Sequence, residues 1–319
     1  MTKNVLVTAI GTAASTTIVK ELKKAQQFHI IGADMAERTQ VATSLDVDEY
    51  FQFPPSVNED YIPFALNFCK EHQVDYYFAI IDDEVMNIIK NRDSFESCGT
   101  KLCLPEYEFA KKCHYKEFFS EWIQENFPEI AIREYRDLTE IRNAKYPLFI
   151  KPHEGAASRG CRKVENYESL ISMVDAEDIG RNILVQDCIE GTIITVDYIR
   201  NRKTGQTLQI QRKEILRNTD GCGIAVEIIS NPALYQICEL LMEKLDLNGV
   251  VNIEFFETKE GYRIIEINPR HSAGTVYSCM AGGDTVLNAV YIADGQPCVF
   301  GNIDVGAHFA KRYEAYRTS

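Results

Sequence analysis

No run of about 18 apolar residues occurs anywhere in the 319 residues, so no transmembrane helix is expected. The apolar start VLVTAIGTAA is short, has one Lys before it and leads into a charged helix, which reads as a buried strand and turn and not as a signal peptide. Ten cysteines are present, yet none forms a C-x-x-C pair and no histidine cluster accompanies them. The spacing offers no zinc or dithiol signature, and a disulfide framework does not suit a chain of this size; reduced thiols in the cytoplasm, used as small buried hydrophobes, fit best. The G-x-G-x-x-G pattern is missing, since Gly11 stands alone in its turn, which argues against a nicotinamide dinucleotide. A Walker A loop is missing too, because Cys161 and Arg162 follow Gly160 where Lys and Ser or Thr would stand. A basic excess is also lacking: the net charge of −13 argues against nonspecific nucleic-acid or anionic-membrane binding.

What is present is organised around Val250–His271, VVNIEFFETKEGYRIIEINPRH. Val251, Ile253 and Phe255 alternate with Asn252, Glu254 and Phe256, the period of a strand. A second strand runs from Tyr262 to Asn268, with Ile265 and Ile267 on one face and Ile264, Glu266 and Asn268 on the other. Lys259-Glu260-Gly261 predicts a three-residue hairpin loop with Gly261 in the left-handed position. That loop pairs Thr258 with Tyr262 and so places Glu254 opposite Glu266, with Asn268 further along the same face. Facing like charges destabilise a sheet unless something neutralises them, and Mg²⁺ prefers carboxylate and amide oxygens completed by nucleotide phosphates. Arg270 follows, a planar guanidinium suited to phosphate or carboxylate. The alternative is a solvated hairpin with ordinary surface acids.

Upstream, strands are expected at Asn4–Thr8, Phe28–Gly32, Asp75–Ile81 and Lys101–Leu104, and helices at Thr16–Ala25, Glu59–Glu71 and Val85–Asn91. This alternation implies a parallel sheet in an α/β domain over residues 1–105. Asp82, Asp83 and Glu84 lie at a strand's carboxyl end, the usual ligand edge of an open sheet, where Asp83 and Glu84 are candidates to meet a substrate ammonium; an acidic helix N-terminus is the competing reading.

Downstream of Pro105 the chain is helical to Asn126. Leu148–Ile150 form an apolar strand ending in Lys151, and small residues follow at Gly155, Ala156, Ala157, Ser158 and Gly160. Small side chains let backbone N–H groups approach phosphate oxygens, with Lys151 as a compact charge at the base; the competing reading is an ordinary mobile hairpin, since Gly-rich loops are common turn signals. Ile183–Val185 is a buried strand leading to Gln186, Asp187 and Ile189, a connector with backbone groups of the kind an adenine needs and with Glu190 as a candidate for ribose hydroxyls; the competing reading is a plain link between strands in which Glu190 and Gly191 make a turn. The strand Gln209–Arg217 carries Arg212, Lys213 and Arg217, and which of them faces the cleft stays open. Pro232–Leu245 reads as an amphipathic helix. Ser272, in the small polar turn after Arg270, is a further substrate candidate.

The motif E-F-F…I-I-E-I-N-P-R resembles the metal-binding segment of ATP-grasp enzymes, above all the carbamoyl-phosphate synthase large subunit and related amino-acid and peptide ligases. The resemblance covers roughly Lys116 to the end, more loosely what precedes it. It implies a Rossmann-like N-terminal domain followed by a two-subdomain ATP-grasp fold over 106–319, with a lid at about 112–187 and a base at about 188–319. It implies that Lys116 reaches the nucleotide phosphates, that 155–160 is the flexible glycine loop, and that Gln186–Ile189 is the hinge, although the family often has Glu where Gln186 stands. It implies ATP with one or two Mg²⁺ (or Mn²⁺) held by Glu254, Glu266 and Asn268, and Lys151 and Arg270 serving the chemistry. The activity implied is ADP-forming ligation of a small carboxylate, perhaps an amino acid, to an amine through an acyl phosphate. Alternatives are a small-molecule kinase, a carbamoyl-phosphate-forming enzyme, or a nucleotide-binding module without turnover. The partners expected are small molecules; a homodimer would be unsurprising.

Overall fold

Val5, Leu6 and Val7 are fully buried, and such a continuous apolar run marks a strand covered on both faces. In the computed structural model, which describes residues 2–153, 160–219 and 221–319, this run is β1 (Lys3–Val7), the middle of a five-stranded parallel sheet. The chain continues through α1 (Ala13–Ala25), β2 (Phe28–Asp34), β3 (Glu49–Gln52), α2 (Tyr61–Glu71), β4 (Tyr76–Phe78), α3 (Asp82–Lys90), α4 (Arg92–Ser97) and β5 (Lys101–Leu102). The strand order is β3-β2-β1-β4-β5. The order reverses at β1, so the crevice between the carboxyl ends of β1 and β4 is the natural ligand edge. The edge strand β3 reads Glu-Tyr-Phe-Gln, too short and too mixed to announce itself.

Two helices follow, α5 (Tyr107–His114) and α6 (Lys116–Asn126), separated by Tyr115 in extended conformation. Next come β6 (Glu134–Tyr135), α7 (Leu138–Asn143), β7 (Leu148–Pro152), β8 (Arg162–Val164), α8 (Tyr167–Ile171) and β9 (Ile183–Asp187). Their strands make a four-stranded antiparallel sheet, β6-β9-β7-β8. The remainder is β10 (Thr192–Asn201), β11 (Gln206–Arg217), β12 (Gly223–Ile229), α9 (Pro232–Lys244), β13 (Gly249–Thr258), β14 (Gly261–Asn268), α10 (Thr275–Met280), α11 (Thr285–Ala293) and β15 (His308–Ala310). These strands form a six-stranded antiparallel sheet, β14-β13-β10-β11-β12-β15.

One face of the six-stranded sheet is apolar. Val196, Ile253, Phe255 and Ile267 pack there with Leu241 of α9, Phe109 and Cys113 of α5, and Phe119 and Ile123 of α6. This corrects the expected start of the smaller unit at 112, because α5 and α6 belong to the core of the large sheet. The small sheet has its own core of Tyr135, Ile141, Leu148, Ile150, Leu170 and Val185. The parallel sheet is tied to the large one, since Val5, Val7 and Ile18 share a core with Ile199, Val250, Val286 and Val290. All ten cysteines are unpaired; Cys98, Cys161, Cys188, Cys222 and Cys279 are only half-buried, so burial does not account for all of them. Among the described residues, no helix is long and apolar enough to cross a membrane.

Candidate active site

The hairpin β13–β14 places its acids as expected, by a different route. The loop is shorter than predicted, because Thr258 pairs with Gly261 and Phe255 with Ile264. A bulge at Ile265 then adds the missing residue, and Glu254 stands opposite Glu266, as does Asn252 opposite Asn268. Bulges bend a strand and re-aim side chains. Here the bulge also reverses the expected faces: Ile264 joins Ile267 in the core, and Ile265 is the displaced residue.

The acids sit on the sheet's polar face, with 17% of the Glu254 side chain exposed. Burial, and the facing Glu266 carboxylate, push Glu254 up to about 7. Arg217, at the irregular end of β11, supplies one counter-charge through a 3.0 Å bond to Glu254 Oε2. It is thus Arg217, of the three candidates on that strand, that meets the acidic pair. Asn268 donates to Glu266 Oε1 at 3.1 Å, and its Oδ1 accepts from Arg270 while keeping a second lone pair. Two crowded carboxylates and an amide oxygen suit a hard divalent cation. Among the described residues no group of three or more His, Cys, Asp or Glu is arranged to hold a metal, so phosphate oxygens would have to complete the shell, as Mg²⁺ prefers.

Lys116 opens α6 and donates to the carbonyl of Pro152 at 3.0 Å, which brings it beside Lys151 on β7. Burial, and the repulsion of Lys151, hold the Lys116 ammonium below its ordinary value, while Glu266 opposes them. Lys116 on α6 and Lys151 on β7 of the small sheet thus neighbour each other, and Lys116 also feels Glu266 on the hairpin of the large sheet. Gly160 has φ +77°, and a Cβ there would lie 2.8 Å from Pro152 Cγ, so glycine is required where the loop returns. Gly155, Ala156, Ala157 and Ser158 lie outside the described residues.

The connector from β9 in the small sheet to β10 in the large one is shorter than expected: Gln186 and Asp187 are still paired in β9, and only residues 188–191 lie between the strands. Gln186 is buried and donates to Glu134 Oε1 at 3.2 Å, and Asp187 accepts from Tyr135 at 2.7 Å. Ile189 is half-buried and Glu190 exposed. The backbone at Gly191 crosses close to β13, since a Cβ would come within 2.6 Å of the Glu257 carbonyl oxygen.

Four expectations need correction. Glu84 does not face substrate: it is buried and accepts from the hydroxyls of Tyr61 and Tyr77 at 2.5 and 2.7 Å, and burial raises its pKa. Arg212 does not face substrate either. It is fully buried against Asp197, with Ser278 and Ser272 completing its contacts. Ser272 belongs to that network, bonding Asp197 at 3.4 Å and accepting from the Gly274 amide. Arg270 does not present its fork to a substrate, because Nε and Nη2 donate to both oxygens of Asp82 at 2.6 and 3.0 Å. Asp83 is exposed in the first turn of α3 and stays available.

Sequence reasoning missed Asp82 as that partner, and the Asp197–Asn252 pair at 2.9 Å. The signal for the second was present: Thr195 and Asp197 on one strand and Asn252 and Glu254 on its neighbour put polar residues on one face of otherwise apolar runs.

The sequence matches the ATP-grasp domain family over residues 109–274 and the PylC-like N-terminal domain family over residues 5–103. A 3-methyl-D-ornithine–L-lysine ligase from Methanosarcina barkeri is 25% identical over 136 residues, covering 42% of this chain and 35% of the relative. The carbamoyl phosphate synthase large chain of Clostridium acetobutylicum is 24% identical over 260 residues, covering 69% and 24%. The chain thus spans about a third and a quarter of the length of these curated relatives. Among solved structures, the biotin carboxylase domain of Hydrogenobacter thermophilus 2-oxoglutarate carboxylase, in complex with MgADP and bicarbonate, aligns with a TM-score of 0.75 at 16% identity, over 97% of this chain and 73% of that one. Biotin carboxylase from Campylobacter jejuni gives 0.73 at 18% identity, over 97% and 74%. These two likenesses show the fold. The ATP-grasp match covers just over half of the 319 residues and includes both lysines, the connector and the acidic hairpin, and the chain belongs to the ATP-grasp family.

Proposed function

We propose that the chain is an ATP-dependent, ADP-forming carboxylate–amine ligase for a small metabolite. The observation that carries this reading is that Lys116, bonded to the Pro152 carbonyl next to Lys151, feels the Glu266 carboxylate of the facing pair Glu254–Glu266. Phosphoryl transfer needs charge neutralisation and alignment more than it needs a covalent nucleophile. In this reading a substrate carboxylate oxygen attacks the γ-phosphorus, the bond to the β-phosphate oxygen breaks, and ADP leaves. An amine nitrogen then attacks the acyl carbon, phosphate departs, and the nitrogen loses a proton to give the amide.

Glu254, Glu266 and Asn268 would hold Mg²⁺ (or Mn²⁺), which supplies Lewis-acid neutralisation of the phosphates. Lys116 and Lys151 neutralise phosphate oxygens from the other side. Ile189 offers its backbone to adenine and Glu190 its carboxylate to the ribose, with Gln186 and Asp187 fixing the connector. In this reading Arg217, bonded to Glu254, steadies the transferring group, and the exposed Asp83 meets a substrate ammonium. A homodimer and a cytoplasmic setting complete the reading.

The test is ADP release from MgATP with pooled small carboxylates and amines, by wild type and Glu266→Gln in parallel. Substrate-dependent ADP from wild type alone, with an amide found by mass spectrometry, supports the reading. Unchanged turnover by Glu266→Gln would sink the metal assignment, and a phosphoester product would make the protein a kinase.

A further inference from the structure

We propose that Asp82 is a positioning residue for the metal hairpin, so that the parallel-sheet domain is a working part of the phosphoryl-transfer site and not only a wall of its cleft. This rests on the reading of Glu254, Glu266 and Asn268 as metal ligands.

Asp82 is the first residue of α3, at the carboxyl end of β4, where the strand order of the parallel sheet reverses. Arg270 lies 188 residues away, just past β14. Its Nε and Nη2 donate in parallel to the two carboxylate oxygens of Asp82 at 2.6 and 3.0 Å, the two-point geometry that fixes a guanidinium in orientation as well as position. Nη1 donates to the His271 carbonyl at 3.3 Å. Nη2 also reaches Asn268 Oδ1 at 3.4 Å, and Asn268 Nδ2 reaches Glu266 Oε1 at 3.1 Å. A relay of four side chains thus runs from one domain's ligand edge to the carboxylate pair. The Asp82–Arg270 pair is partly buried, at 28% and 19% exposed, so solvent screens it less than a pair on the open surface.

The charge balance explains why the pair is needed. Arg270 lies within the field of both Glu254 and Glu266. With no anion on its far side, its guanidinium would be drawn to those carboxylates and would compete with a divalent cation for the same oxygens. Asp82 holds it away from them and turns Asn268 into register. Groups that orient metal ligands in this way typically change metal affinity by about 10–100-fold when they are lost. Linkage is reciprocal, so cation binding must also tighten the corner around Asp82.

A second contact between the same two domains provides the control. Asp294 accepts from Lys101 Nζ and from the Tyr76 hydroxyl, each at 2.7 Å, and its bonds lead to neither Arg270 nor the hairpin.

The experiment is Mn²⁺ binding to the full chain, with and without a non-hydrolysable ATP analogue, read as free Mn²⁺ by electron paramagnetic resonance. Asp82→Asn should weaken binding by about 10-fold or more, Arg270→Lys should do likewise, and the double variant should lose no more than the single ones. Asp294→Asn should bind as wild type does. In wild type, Mn²⁺ should slow amide exchange around Asp82. Should Asp82→Asn fail to fold by circular dichroism, Arg270→Lys, which keeps the charge and loses the fork, carries the same test. Wild-type affinity in whichever of these variants folds overturns the proposal, and so does an equal loss in Asp294→Asn, which would mean general loosening of the domain contact. If wild type itself binds no Mn²⁺, even with nucleotide, the metal reading falls and takes this inference with it.

Discussion

Arg212 on β11 and Asp197 on β10 meet as a buried ion pair, the two side chains only 1% and 2% exposed. The pair underlies the polar face that carries the acidic hairpin, and Asn252 and Ser278 occupy the remaining lone pairs of Asp197. Burial opposes the charge on Asp197, and Arg212 overrides it and holds the carboxyl below its ordinary value. A buried pair of this kind is weak evidence for net stability, but breaking it is costly, because one charge is then left without a partner.

Asp197→Ala is therefore expected to destabilise the protein by about 3–5 kcal/mol, read from urea unfolding midpoints. Replacing Arg212 and Asp197 together with apolar residues of similar volume should recover most of that loss. A double variant as unstable as the single one would show that the pair has another structural task.

Lys116 and Lys151 approach each other on the far side of the cleft. Each loss to Met is expected to cost about 1.5–3 kcal/mol of ATP binding, the range for hydrogen bonds to charged groups. The two losses should be less than additive, because removing Lys151 relieves the repulsion on Lys116. Isothermal titration with ATP in the four forms of this cycle checks both points, and strict additivity would place the two lysines in separate sites.

Glu84 gives the parallel sheet a pH dependence of known sign. Burial outweighs the Tyr61 and Tyr77 hydrogen bonds and raises its pKa above the ordinary carboxylate value. A raised acid binds its proton more tightly when folded, so its contribution is full below the ordinary value and is lost as pH rises through the raised one. Across that window wild type should lose stability relative to Glu84→Gln as pH increases. Thermal unfolding of both forms at several pH values measures the difference, and parallel curves would mean that Glu84 is ionised when folded.

Much of this arrangement was legible in the sequence, for identifiable reasons. Strands buried on both faces, such as β1, announce themselves as apolar runs, and the facing of Glu254 and Glu266 followed from strand periodicity. Yet that facing depends on two errors that cancel, a loop one residue shorter and a bulge at Ile265. Periodicity carries no signal for a bulge, which is why Ile264 and Ile265 were assigned to the wrong faces. Arg270 illustrates a second limit. Its residue type and place suited an anion, but its partner comes from 188 residues away, and no local pattern names Asp82. Glu84 fails in the opposite sense, since an acid at a helix start reads as accessible, while this one is buried and held by the Tyr61 and Tyr77 hydroxyls.

The separate core of the small sheet has a consequence for how the molecule comes apart. Tyr135, Leu148, Leu170 and Val185 pack among themselves, whereas the parallel sheet and the large sheet share Val5, Val7, Ile199 and Val250. Opening free energies follow such boundaries. Native-state hydrogen exchange should therefore resolve two cooperative blocks, and the break should fall around 134 and 187, not at Pro105. The small sheet, which in the proposed function carries Lys151 toward the phosphates, is then expected to melt and reform as a unit while the remainder stays folded, which would make release of product a local event.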